Sequence, residues 1–143
     1  MTIKNFRHSG IVTKDLNKSL FFYNKLLNLK IIKIIEEDTA IMTSLLKIKN
    51  CKLKTIKLGL KNKIFIELLY FNKIQKKVNN IRINSLGLTH ISLTVKNLEH
   101  LYKKLKKNKI KFLSKPQVSS DKKVKLVFCK SPENIFIELV EIL

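Results

Sequence analysis

Glu67 and Glu138 each stand in the middle of the same five-residue string, Ile-Phe-Ile-Glu-Leu, at 64–68 and again at 135–139. The string otherwise reads as a buried strand. An ionised carboxylate taken out of water needs a hydrogen-bonding partner or a metal. With ten acidic residues against thirty basic ones, two acids in apolar strands are a costly placement. Two histidines accompany them. His8 lies in the string 6–12 and His90 in 89–95, and a shift of 82 residues lays His8 on His90, Lys14 on Lys96, Asp15 on Asn97 and Leu16 on Leu98. Neutral imidazole and carboxylate together suit Zn, Ni, Co, Fe or Mn. One divalent ion would also offset both carboxylates. Any one of these residues alone is a weak signal. The duplicated spacing ties His8, Glu67, His90 and Glu138 into a single candidate ligand set.

The elements that must position them follow from periodicity. After each histidine, Asp15 and Asn97 are good helix N-caps, placed just before an apolar period begins. The first helix carries Leu16, Leu20, Tyr23 and Leu27 on one side and ends near Asn28; the second carries Leu98, Leu101, Tyr102 and Leu105 and ends near Asn108. Strands are expected over 30–36, 52–60 and 64–71, and then over 110–114, 124–130 and 135–142. A short helix is expected over 39–47. The order is β-α-β-β-β, twice, an α+β pattern. One domain spans 1–143, with module one at 1–71, a connector at 72–86 and module two at 87–143. Alternation along the strands sets His90, Ser92 and Thr94 opposite the apolar Ile91, Leu93 and Val95, and puts each glutamate on a face with a phenylalanine two residues earlier.

Composition narrows the partners. The net charge of +20 invites a nucleic-acid reading, but only Arg7 and Arg82 are arginine, the residue that phosphate recognition favours. The lysines are spread along the chain, and the densest run, 103–111, falls on one amphipathic helix and its exit. They read as a solvated surface that attracts an anionic small substrate at most, with no nucleic acid as partner. No run of 18 apolar residues exists, so no membrane span is expected. The N-terminal residues lack the apolar core of a secretory signal. Cys51 and Cys129 lie in no CxxC motif and read as two buried thiols in a reducing, cytoplasmic setting.

The residues His8-Ser9-Gly10-Ile11-Val12-Thr13-Lys14-Asp15-Leu16, then Ser19 to Tyr23 and Ile66-Glu67-Leu68-Leu69, are joined by Gly87 to Ser92, Ser131-Pro132-Glu133-Asn134 and Ile137 to Glu141. Together they resemble the vicinal oxygen chelate superfamily, the glyoxalase/bleomycin-resistance/dioxygenase group. The resemblance implies paired βαβββ modules forming a curled mixed sheet around a metal-binding cleft. It places the ligands on His8, Glu67, His90 and Glu138. All four carry a ligand type, unlike the metal-free drug-sequestering members. A carboxylate at 67 is also unlike the dioxygenases and thiol transferases, which use two His and one Glu. One departure is the turn before the last strand: the family's usual glycine is absent, and Asn134 would have to supply the left-handed residue.

The set is most similar to glyoxalase I. That resemblance implies a lyase or isomerase that moves a proton next to a carbonyl through a metal-bound enediolate, with Glu138 as first choice for base and Glu67 opposite. The substrate would be a small molecule, an anionic thiol conjugate or an acyl-CoA, and family habit implies a homodimer. Two other readings stand beside it. One is an epimerase of a 2-substituted acyl-CoA thioester, a family with Gln at the second ligand position, in which Glu36 or Glu37 would serve as a second acid–base group. The other is a non-catalytic module that binds a small ligand. His100, beside Glu99, reads as solvent-facing.

Overall fold

In each half of the chain the first strand pairs in parallel with the last, at one edge of a four-stranded sheet. The structure, a computed structural model, describes residues 3–75 and 81–143. The chain divides into two compact units, Met1–Lys77 and Val78–Leu143. Part of the expected connector, 76–80, lies outside the described residues.

The first unit runs β1 (Ser9–Val12), α1 (Leu16–Leu20) continuing as a π-helical segment (Phe21–Leu26), β2 (Lys30–Glu36), α2 (Thr39–Leu46), β3 (Leu53–Leu60) and β4 (Lys63–Phe71). Its sheet order is β1-β4-β3-β2, with β1 and β4 parallel and the other pairs antiparallel. A parallel pair needs a crossover, and the intervening helices and strands supply it. The expected strands and the short helix are all present. Asp15 caps α1, its Oδ1 accepting from Lys18 N at 3.0 Å. Asn28 ends the π-helical segment in the left-handed region at φ 60°, and Leu29 N–H reaches back to Tyr23 O.

The buried stripe of that helix is not the expected one. Ser19, Phe22, Tyr23 and Leu26 are buried, whereas Leu16, Leu20 and Leu27 are half-buried. Leu27 N–H donates to Phe22 O, five residues back. That wider turn takes an extra residue and rotates the stripe out of the 3.6 period. It seats Phe22 and Tyr23 together in the core, their rings edge to face at 4.9 Å.

β3 and β4 form a two-residue hairpin. Lys61 and Asn62 have φ of 46° and 65°, the sign pattern of a type I′ turn, whose twist matches that of the strands. The ladder slips between Leu58 and Gly59 just before the turn. A Cβ at Gly59 would collide with the Lys63 carbonyl.

The second unit runs β5 (His90–Thr94), α3 (Leu98–Lys107), β6 (Gln117–Val118), β7 (Val124–Lys130) and β8 (Phe136–Ile142). Its order is β5-β8-β7-β6, again with a parallel first–last pair. Leu98, Tyr102 and Leu105 are buried along α3, as the spacing predicts. Asn97 caps it through Oδ1 to His100 N, and Glu141 accepts from the Asn97 and Leu98 amides at 2.8 and 3.0 Å. That carboxylate answers two orphan amides at the positive end of the helix.

The strand expected over 110–114 is not one. Ile110 N–H closes the helix end on Leu105 O, leaving an isolated bridge between Phe112 and Cys129. The Ser114 hydroxyl then donates to Lys115 O, and Pro116 has no amide to give a ladder. Pairing resumes only at β6. The turn before β8 does form: Asn134 takes φ 63°, and Asn134 N–H donates to Ser131 O.

Among the described residues no helix is long and apolar enough to cross a membrane. Both cysteines are free and buried, and burial pushes the Cys129 thiol up to about 12. Such a thiol is almost wholly uncharged at neutral pH and a poor nucleophile. Ellman's reagent should therefore titrate neither cysteine within minutes in the native protein and both at once in denaturant. Gly59→Ala should lower stability by roughly 2–3 kcal/mol, read from the urea midpoint, because the added methyl has nowhere to go but the β4 backbone.

Candidate metal centre

Each unit buries an Ile–Leu face of its last strand, and this turns the glutamate between them the other way. Ile66 and Leu68 in β4 and Ile137 and Leu139 in β8 have no exposure. Glu67 and Glu138 therefore lie on the opposite face, half-buried.

In the first unit, Gly10 of β1 stands directly beside Glu67 of β4. His8 is two residues earlier and on the same side, and its Nε2 lies 3.1 Å from Glu67 Oε2. The second carboxylate oxygen, Oε1, accepts from Lys57 Nζ at 2.9 Å. Lys57 sits across from Glu67 in the β3–β4 ladder. The side chains of Glu67, Lys57 and His8 are 12%, 16% and 25% exposed, so the trio is largely withdrawn from water. His8 Nδ1 is buried and has no hydrogen-bond partner among the described residues.

In the second unit, Ser92 of β5 stands beside Glu138, and His90 beside Phe136. His90 Nε2 is 3.8 Å from Glu138 Oε2, too long for a hydrogen bond. Thr89 Oγ1 lies 3.2 Å from His90 Nδ1. A partner on one ring nitrogen orients the other, the arrangement that metal-binding histidines use. Phe128 faces Glu138 across the β7–β8 ladder and meets the His90 ring edge to face at 5.4 Å.

The structure thus brings the predicted residues together as two His–Glu pairs, one in each unit. Among the described residues, no group of three or more His, Cys, Asp or Glu side chains that could hold a metal is assembled. The donor chemistry fits a divalent ion. Two atoms each ~2.1 Å from one ion at ordinary coordination angles lie roughly 3.0–3.4 Å apart. The His8–Glu67 separation of 3.1 Å falls within that spacing, and the His90–Glu138 separation of 3.8 Å is slightly wider. Small residues stand beside both carboxylates, Gly10 at Glu67 and Ser92 at Glu138. A Cβ placed on Gly10 would meet only the end of the Leu69 side chain, at 3.4 Å.

Sequence reasoning passed over Lys57. Its signal was available: the shift of 71 residues that superposes the repeated strings lays Lys57 on Phe128. A lysine where the other unit places an aromatic ring, two strands from a histidine, is an inward lysine. His100 is exposed, as expected. Glu36 ends β2, exposed, in an ion pair with Lys54 at 2.8 Å.

Two open mixed sheets, each a βαβββ unit with a His–Glu pair at its parallel junction, are the scaffold that the sequence resemblance implies. The chain belongs to the Glyoxalase/Bleomycin resistance protein/Dioxygenase superfamily, whose family model matches residues 5–139. The lactoylglutathione lyase of Schizosaccharomyces pombe is 30% identical over 147 residues, covering 98% of this chain and 48% of that protein. The chain spans about half the length of this curated relative. A glyoxalase family protein from Bacillus cereus has the same fold, with a TM-score of 0.87 at 16% identity over 100% of this chain and 97% of that one. So does a trypanothione-dependent glyoxalase I from Leishmania major, with a TM-score of 0.70 at 17% identity over 97% and 87% of the two chains.

Proposed function

We propose that the chain is a metal-dependent lyase or isomerase of glyoxalase I type, with His8, Glu67, His90 and Glu138 as ligands of one divalent ion. The observation that carries this reading is the pair of His–Glu contacts at the same station of two similar sheets. Membership of the superfamily and the likeness to a lactoylglutathione lyase support the reaction class. The substrate class that follows is a small carbonyl compound carried on a thiol. A homodimer remains part of the proposal.

A divalent ion held by these residues would polarise a substrate carbonyl and ease loss of the neighbouring proton. The chain's residues divide the remaining work. Glu138 takes the proton from the carbon beside the carbonyl and returns it to the adjacent carbon. Among the described residues it has no lysine or arginine partner, and its only ion-pair contact is His90 at 3.8 Å. That leaves its carboxylate free to move. Phe136, Phe128 and Val140 share its face or stand beside it and limit access of water. Glu67, held on one oxygen by Lys57 and on the other by His8, is the fixed carboxylate. The epimerase reading would need Glu36 or Glu37 as a second acid–base group, and Glu36 is engaged at the surface by Lys54.

Chelator-treated protein should take up Zn2+ or Ni2+ with one ion per His8/Glu67/His90/Glu138 set in a calorimetric titration. Failure to bind either ion would end the metal reading. Glu138→Gln should lower turnover of a glutathione–methylglyoxal hemithioacetal by about 10²–10⁴-fold, the usual worth of a positioned base, while retaining most of the metal. Full activity in that variant would remove Glu138 as base. Wash-in of solvent deuterium to a methylmalonyl thioester, without turnover of the hemithioacetal, would replace the lyase by the epimerase.

A further inference from the structure

Among the described residues, Lys57 is the one further charged side chain seen in an ion pair with the first His–Glu pair. Its ammonium lies 2.9 Å from Glu67 Oε1, with both side chains largely out of water. Exposed ion pairs are worth little, but a pair this withdrawn acts strongly on any further charge brought to it. Among the described residues the second unit shows no lysine or arginine paired with Glu138. Phe128 fills the matching place, facing Glu138 across its ladder as Lys57 faces Glu67. The counter-charge is therefore a property of one half of the duplicated design.

Its consequences follow from charge and valence. Without an ion, Lys57 offsets the Glu67 carboxylate and fixes its plane, so that Oε2 stays against His8. With an ion on Oε2, the ammonium occupies Oε1 and keeps Glu67 from offering both oxygens. It is also a second cation a few ångströms from the first. Both effects weaken binding of the ion, and the ammonium leaves the loaded site with one positive charge more than its two carboxylates cancel.

We infer that Lys57 is a positioning residue, a resident counter-charge that restricts Glu67 to one ligand oxygen and tempers the affinity of the site for its divalent ion. The inference rests on His8 and Glu67 being metal ligands. A lysine that merely held β3 to β4 would have the opposite signature, since its loss would loosen Glu67 and weaken or spare metal binding.

The test is the metal affinity of Lys57→Leu against the parent chain, measured by chelator competition with Zn2+ and by the visible absorption of bound Co2+. Removing the ammonium should tighten both ions by roughly tenfold or more, as a unit charge this close does at an effective dielectric of about 20. The Co2+ band should shift as Glu67 gains a second free oxygen. Lys57→Arg, which keeps the charge, should return affinity to within about threefold of the parent. Should Lys57→Leu fail to fold, Lys57→Gln carries the same expectation. Unchanged or weaker binding in a folded neutral variant, with the parent still binding, overturns the role of Lys57 and leaves the ligand set standing. Absence of binding in parent and variants alike overturns both.

Discussion

The interaction on which the rest of this structure depends is the burial of two short aliphatic faces, Ile66–Leu68 in one unit and Ile137–Leu139 in the other, under the helix that follows the first strand. A strand has two faces, and committing one to the core delivers whatever lies between to the opposite side. In both units what lies between is a glutamate. The parallel pairing of first and last strands then brings a histidine to the same side, from just ahead of β1 and from the first residue of β5. The His–Glu contacts are thus consequences of hydrophobic burial and strand register. His90 and Glu138 both stand on strands, whereas His8 reaches Glu67 from the residue just ahead of β1.

The two halves use the same backbone to opposite electrostatic ends. At Glu67 the carboxylate is answered on both oxygens, by Lys57 and by His8, and all three side chains are largely withdrawn from water. At Glu138 the facing residue is Phe128, and the histidine stands off at 3.8 Å. An acid that must release and retake a proton is better placed among rings and alkyl groups than against an ammonium. An acid that must stay where it is needs the ammonium. One facing position, Lys57 in the first unit and Phe128 in the second, gives two identical pentapeptides different surroundings.

Much of this was legible in the sequence, because the signals were local. The repeated string fixed the glutamates on strands, Asp15 and Asn97 announced the two helices, and Asn134 supplied the left-handed residue where glycine was missing. What was not legible depended on hydrogen-bond choices and register that composition and a fixed period do not encode. The stripe of the first helix is displaced by a π turn that exists because Phe22 and Tyr23 pack together, and a fixed period of 3.6 cannot see it. The segment 110–114 has the composition of a strand, yet the helix end takes the Ile110 amide and Pro116 withholds another. The pairing of Lys57 with Glu67 needs the register of a hairpin whose ladder slips at Gly59, and no count of residues along the chain predicts that slip.

Lys57 also shows why composition misleads in a chain of this kind. With lysine everywhere, one more lysine carries no information, and the surface reading is right for the general case. The other lysines seen in ion pairs, Lys18, Lys54 and Lys125, have side chains 77%, 37% and 26% exposed, against 16% for Lys57. What separates Lys57 from them is its station on β3, directly across from a carboxylate that is itself beside a histidine. A strong net charge gives every anion some attraction to the molecule. A single ammonium 2.9 Å from a half-buried carboxylate acts at short range on that one group.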